Sequence, residues 1–366
     1  MIKKNSILKM IYIWIGEAFD MIVLWGVSKG FSWMLALFLS LPKQKRMSHN
    51  NGIAATGWLQ IVDNPDFPEH DFFEAGKKFQ TRIRHASISF LDDAMNCFRS
   101  ISIKFSDQHF ESPFDIELNT GERSAFWSAA SFFKFGAMGK EKWGVSEVEF
   151  VRKYPEGVNG IIKAMRRNPT SFYNMQYYSK TPFFFIGKDS IKRYAKYRVT
   201  PANNEPETGI IEHPCEEDLA NQRILPFETR GRNYLKYEYE DRLKKENLVY
   251  LLSIQLRTAS DDDDPEIFNN MIPWSDEIFP WLDLAHIHIE KALDWKESTL
   301  TTFSVNNMPK SLGVIPAKSI YDYNSLNYVR AHSEIARKAR IFSYKLWGMV
   351  PPIPDNDNRN VDDWGV

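Results

Sequence analysis

The chain has 366 residues, of which 43% are apolar and 14% aromatic, and its net charge is −1. That length and apolar content suit a large core, as one big domain or two modest ones, and exclude a disordered chain. The near-neutral balance excludes a whole-domain nucleic-acid binder, which would be basic, and only two cysteines occur, Cys97 and Cys215, without metal-ligand or disulfide-framework spacing, which points to a reducing compartment.

Residues 1–50 form an apolar arm rich in Trp and Phe that ends in the basic cluster Lys43, Lys45 and Arg46. Glu17, Asp20 and Lys29 interrupt it, and Gly16, Gly26 and Gly30 weaken one continuous helix. The clean run from Phe31 to Leu41 is shorter than the roughly 20 residues a bilayer needs. Three readings stay open: amphipathic helices on a membrane surface, a spanning segment, or an arm packed on the chain itself or on a second subunit. The first is preferred, which makes the protein cytoplasmic and peripherally membrane-associated. Pro42 and the polar run to Asn51 read as a hinge.

Strand patterns follow. They begin at "GIAATGWLQIV" and are clearest in "CFRSISIKF", where Arg99, Ile101, Ile103 and Phe105 share one face. An arginine on an apolar face needs a partner. "FFFIG", "KYRVTP" and "LVYLLSIQLRT" are further strands. Helices are expected in "ERSAFWSAASFFKFG", stopped at Gly136, in "GVNGIIKAMRRNP", and in "YVRAHSEIARKARIFSYKLWG", the longest. Residues 351–366 read as an irregular tail. The pattern implies an α+β chain: a mostly antiparallel sheet, or barrel, with helices before and after it.

Common catalytic motifs are missing: no P-loop, no HExxH, no GxSxG. "HIHIE" could set His286 and His288 on one strand face, but lacks the carboxylates to complete a metal site. "ASDDDDPEIF" reads as a solvated acidic loop rather than a calcium site. In "ARIFSYKLW", Arg340 and Tyr344 are one helical turn apart and share a face. Such a guanidinium favours the phenolate, and tyrosinate is one of the few side chains that ligate haem iron. Taken alone, the pair also suits ordinary packing residues.

Five patterns in order resemble the haem catalase superfamily, and within it the short catalase-related branch of coral-type allene oxide synthases and small peroxidases. They are "RIRH" (Arg82–His85), "RSISIKF" (Arg99–Phe105), "NTG" at Asn119, "YYSKTPFFFIG" (Tyr177–Gly187) and "RIFSY" (Arg340–Tyr344). The resemblance runs from about Gly57 to Trp347. It implies a catalase-like antiparallel β-barrel wrapped by helices, over residues 51–350, with a haem pocket between the barrel and the C-terminal helix. It implies a ferric haem b ligated by Tyr344, with Arg340 holding the phenolate. His85 and Asn119 would flank the open face of the iron, Arg82 and Arg99 would pair with haem carboxylates, and Ser87 and Thr120 would add outer hydrogen bonds. Without the resemblance, His85 reads as a hydrogen-bonded core histidine.

Departures from the family shape the expected function. True catalases carry a small apolar residue before the distal histidine, and coral-type allene oxide synthases carry threonine. Before His85 stands Arg84, which strand alternation turns away from the site. The glycine-rich turn of large catalases is also missing. The resemblance therefore implies a hydroperoxide-metabolising enzyme that cleaves O–O bonds in organic, fatty acid hydroperoxides, as allene oxide synthase, isomerase, lyase or peroxidase. A catalase or peroxidase using hydrogen peroxide, and a non-catalytic haem carrier or sensor, are the alternatives. The partners implied are the hydroperoxide and a membrane surface, without nucleic acid; a homodimer is left open.

Overall fold

A computed structural model describes residues 2–87, 92–138, 150, 152–212, 227–260 and 262–351. Cys215 and most of the C-terminal tail lie outside them. In chain order, helix α1 spans Ile2–Leu35 and strand β1 Gly52–Ile61. Strands β2 (Lys78–Ser87), β3 (Cys97–Lys104) and β4 (Asp115–Thr120) follow. Then come α2 (Ala129–Met138), α3 (Val158–Ala164), β5 (Met165–Arg166), β6 (Tyr177–Tyr178), β7 (Phe183–Ile186) and β8 (Lys192–Pro201). The last group is α4 (Tyr234–Leu243), β9 (Leu248–Thr258), β10 (Trp281–Ala292), α5 (Trp295–Leu300), α6 (Ser325–Ala331) and α7 (Glu334–Trp347).

Eight strands close into an antiparallel barrel in the order β1-β10-β9-β8-β6-β4-β3-β2, and β2 pairs back to β1. Closure leaves no edge among these strands to be masked, and a barrel of this size is filled by its own side chains. Ile83, Ile101, Ile103, Ile116 and Leu118 point inward from β2, β3 and β4 and are fully buried or nearly so. Helix α4 adds Leu235, Tyr239 and Leu243 to the same core. Alternation then sends Arg84, Ser100, Ser102, Glu117 and Asn119 to the outer face of the wall, in register across β2, β3 and β4.

The α+β barrel is the expected architecture, but several helices differ from their sequence patterns. α2 begins only at Ala129 and continues past Gly136. The long C-terminal pattern is two helices, α6 and α7. The N-terminal arm differs most. Its glycines do not break it: α1 runs to Leu35, a π-turn continues from Ala36 to Ser40, and a last turn spans Leu41–Lys43. The helix ends at Gln44, whose φ of 55° is left-handed. Pro42 is tolerated at the start of that last turn, where a backbone N–H is spare.

One stripe of this arm is buried at four-residue spacing, Leu24, Ser28, Ser32 and Ala36. Its small side chains let the helix lie close to the C-terminal helices: Ser32 Oγ meets the Ala336 amide at 3.4 Å. The opposite face is bare, with Trp14, Phe19, Ile22 and Phe38 between 64% and 72% exposed. By length and composition, Ile13–Lys43 could cross a bilayer.

Candidate active site

A cavity of about 390 Å³ lies outside the barrel wall, between β2–β4 and helices α1, α6 and α7. Strand alternation supplies its floor, with Arg84, Ser100, Ser102, Glu117 and Asn119. Helix α7 contributes Ala336, Arg337 and Arg340, and the N-terminal arm contributes Phe31, Leu35 and Ser40. The segment after the arm adds Arg46, Met47, Ser48 and His49. An arm boundary at residue 50 would therefore cut through the cavity wall. The Pro42–Asn51 stretch is no hinge: Gln44 Nε2 bonds the Gly348 carbonyl at 2.7 Å, and Arg46 bonds the Thr299 and Thr301 carbonyls at 3.1 and 2.7 Å.

His49 is the histidine that faces this cavity. Its φ of 62° lies in a left-handed region that side chains seldom adopt, and such strain persists only where the surroundings hold it. Arg84 Nη1 grips the His49 carbonyl at 2.9 Å, and Ser48 Oγ lies 2.7 Å from His49 Nδ1. Nε2 is buried without a hydrogen-bond partner. Burial, with the Arg84 charge second, lowers the His49 pKa to about 4, while Glu117 and the Asn119 amide oppose the shift. At neutral pH the ring is uncharged and can present a lone pair.

Cations gather around it. Burial lowers Arg84 to about 10, with Arg340 adding repulsion and Tyr344 opposing. Burial, then Arg84 and Arg340, pulls the Arg46 guanidinium well below its usual range. Arg340 is lowered by burial, again against Tyr344, and its Nε has no partner. Tyr344, one turn along α7, is 6% exposed and donates to the Gln44 carbonyl at 3.3 Å. Glu117, the carboxylate of the floor, is ion-paired with Arg330. The wall thus holds more buried positive charge than its own anions balance. A haem carries two carboxylates and an iron that accepts an anionic oxygen, and this donor set fits it.

Arg340 and Asn119 of the expected site residues line the cavity, and Tyr344 is buried beside its arginines. The others stand elsewhere, which corrects their expected roles. His85 points into the barrel, fully buried, with Tyr250 Oη at 2.8 Å, Tyr177 Oη at 3.3 Å and Phe172 stacked on its ring. It is the hydrogen-bonded core histidine. Arg82 pairs with Asp107 at 2.8 Å and Glu297 at 2.9 Å. Arg99 is fully buried and donates to the Asp93 and Met95 carbonyls at 2.7 and 2.8 Å. Ser87 bonds Asp93 at 3.1 Å, and Thr120 bonds the Ala164 carbonyl at 2.5 Å. Each of the four bonds protein groups, and none of them lines the cavity. Arg84, expected to turn away, lines the cavity because the cavity is outside the wall.

The missed residues left a signal. "RMSH", Arg46–His49, repeats the R-x-x-H spacing of "RIRH" just before the first strand. The residue ahead of this histidine is Ser48, a hydroxyl side chain. "HIHIE" holds no metal cluster: among the described residues no three ligating groups converge.

No family model matches the chain. It is 37% identical over 304 residues to the allene oxide synthase-lipoxygenase protein of Plexaura homomalla, covering 82% of this chain and 28% of that protein. It is 30% identical over 258 residues to linolenate 9R-lipoxygenase of Nostoc sp., covering 68% of this chain and 32% of that one. The chain therefore spans less than a third of either of these curated relatives. Among solved structures, a bacterial catalase superposes with a TM-score of 0.63 at 14% identity, over 84% of this chain and 60% of the other. Catalase A from Saccharomyces cerevisiae gives 0.60 at 14% identity, over 88% and 68%. At that identity the structural likeness speaks for the fold alone.

Proposed function

We infer that the chain belongs with allene oxide synthase on the catalase-related branch, and from that premise we propose that it is a haem enzyme that converts fatty acid hydroperoxides by O–O bond scission. The observation that carries this reading is His49. A neutral imidazole with a free, buried Nε2 shares one cavity with an amide, Asn119, and with arginines that lack enough counter-charge. Relatives whose names carry "allene oxide synthase" and "lipoxygenase" support a lipid hydroperoxide over hydrogen peroxide. So does Ser48, a hydroxyl residue where the resemblance associates threonine with allene oxide synthases.

Tyr344 would ligate the iron, Arg340 would favour its phenolate form, and Arg46 and Arg84 would pair with the haem carboxylates. Bound there, the haem would supply a ferric centre able to cleave a peroxide bond. The chain's own part is proton handling and orientation. With Nδ1–H donated to Ser48 Oγ, His49 Nε2 takes the hydroperoxide proton and returns it to the departing oxygen. Asn119 directs the peroxide oxygens without titrating. The aromatic wall of Phe31, Phe126 and Phe132 keeps water out and suits an alkyl chain. The exposed apolar face of α1 lies on a membrane surface, where such substrates partition.

Purified protein reconstituted with haem tests the reading. A conjugated-diene fatty acid hydroperoxide should be consumed rapidly, and product analysis assigns the reaction. Oxygen evolution from hydrogen peroxide with the lipid left intact would replace this reading with a catalase. A haem-loaded protein inert to both would make it a carrier.

A further inference from the structure

Lys180 stands apart from every other buried cation described above. It lies between β6 and β7 with a φ of 62°, left-handed again, and is 8% exposed. It lines the cavity. Its ammonium donates to the Thr120 carbonyl at 3.0 Å, next to Asn119. Among the described residues no carboxylate pairs with it, and the charge that acts on it is a like one, Arg166. Lys104, by contrast, is a buried lysine with Asp115 3.1 Å from its Nζ. Burial lowers the Lys180 pKa to about 7.

An ammonium in a cavity wall with one neutral acceptor has capacity for an anion. Lys180 bonds the Thr120 carbonyl, whereas Arg84 bonds the carbonyls of His49 and Asn50 and Arg46 those of Thr299 and Thr301, so it forms a second cationic spot in the same wall. The wall around it is mixed, polar at Ser124, Thr181 and Asn270 and apolar at Phe126. We propose that Lys180 binds the carboxylate of a fatty acid hydroperoxide, which orients the chain in the cavity and selects free acids over esters. This rests on the lipid hydroperoxide reading above.

The test is binding rather than turnover. Calorimetry on the haem-loaded full chain would compare a hydroxy-linoleate, an unreactive analogue, with its methyl ester. Losing a buried charge-assisted hydrogen bond predicts that Lys180→Met weakens acid binding roughly 10–100-fold. The ester should bind the variant as it binds wild type, Lys180→Arg should restore the acid, and the Soret band should be unchanged in both. If Lys180→Met misfolds, Lys180→Gln serves for the same comparison. Equal losses for acid and ester, or none, would overturn the assignment. Loss of haem from Lys180→Met would also overturn it, because the lysine would then hold a haem carboxylate. Should wild type bind the acid through Lys180 yet leave hydroperoxides intact, the catalytic reading fails and this one stands.

Discussion

Arg84 and His85 are neighbours in sequence, and the barrel wall passes between their side chains. Arg84 holds the His49 carbonyl at 2.9 Å and lines the cavity, while His85 bonds Tyr250 at 2.8 Å inside the barrel. Two R-x-x-H segments thus play opposite parts. Arg46–His49 builds the cavity, and Arg82–His85 contributes to the wall and its filling.

The two histidines should separate in mutagenesis. His49→Ala is expected to keep the haem spectrum and lower hydroperoxide turnover about 10²–10⁴-fold, the usual worth of a positioned acid–base. His85→Gln removes a ring packed among Phe172, Tyr177, Tyr239 and Tyr250. It should lower the melting temperature while the activity per haem stays near wild type. Activity lost in His85→Gln at full haem occupancy would refute the division.

Tyr344→Phe removes the phenolic oxygen beside Arg46, Arg84 and Arg340. The ferric high-spin tyrosinate-type absorption should disappear, or the haem should be lost altogether. Circular dichroism should still report the barrel, since Tyr344 lies outside it. An unchanged spectrum would rule Tyr344 out as the ligand.

Removing residues 1–50 deletes Phe31, Leu35, Arg46, Ser48 and His49 from the cavity wall. The truncated chain should therefore lose haem as well as membrane association in a vesicle flotation assay. A shorter cut that removes only the residues before Leu24 spares the buried stripe and the cavity. It should weaken flotation and keep haem.

Lys104 and Asp115 are both fully buried and bonded at 3.1 Å, and Asp115 also accepts from Asn307 at 2.8 Å and from the Ser304 amide at 3.0 Å. Lys104→Met strands that carboxylate and should cost about 3–5 kcal/mol in denaturant unfolding. Replacing both partners by apolar residues of similar volume should cost less.

Acid should destabilise the fold through the same histidines. Burial lowers His49 to about 4 and His85 to about 3, from an ordinary value of 6.5. Between those limits the unfolded chain binds protons that the folded chain refuses, so stability is full above 6.5 and falls as the pH drops toward 4 and then 3. At about 1.4 kcal/mol per pKa unit, the total at stake is on the order of 8 kcal/mol. His85→Gln should flatten the lower part of that profile, which equilibrium unfolding across the pH range would measure.

Period-two alternation in "CFRSISIKF" and the neighbouring strands is a local property, so the amino-acid sequence by itself determined a mostly antiparallel sheet with helices before and after it, while the barrel was what the resemblance of the ordered motifs implied. The same local spacing put Arg340 and Tyr344 on one helical face. Alternation says that Arg84 and His85 point to opposite sides of a strand, but not which side carries the chemistry. Only closure of β1 through β10 turned one face into a filled core and the other into the floor of a cavity. The cavity exists because α1, α6 and α7, far apart in sequence, pack over that outer face. Residues such as His49 and Lys180 acquire their surroundings from contacts that cross the whole chain, which local pattern cannot encode.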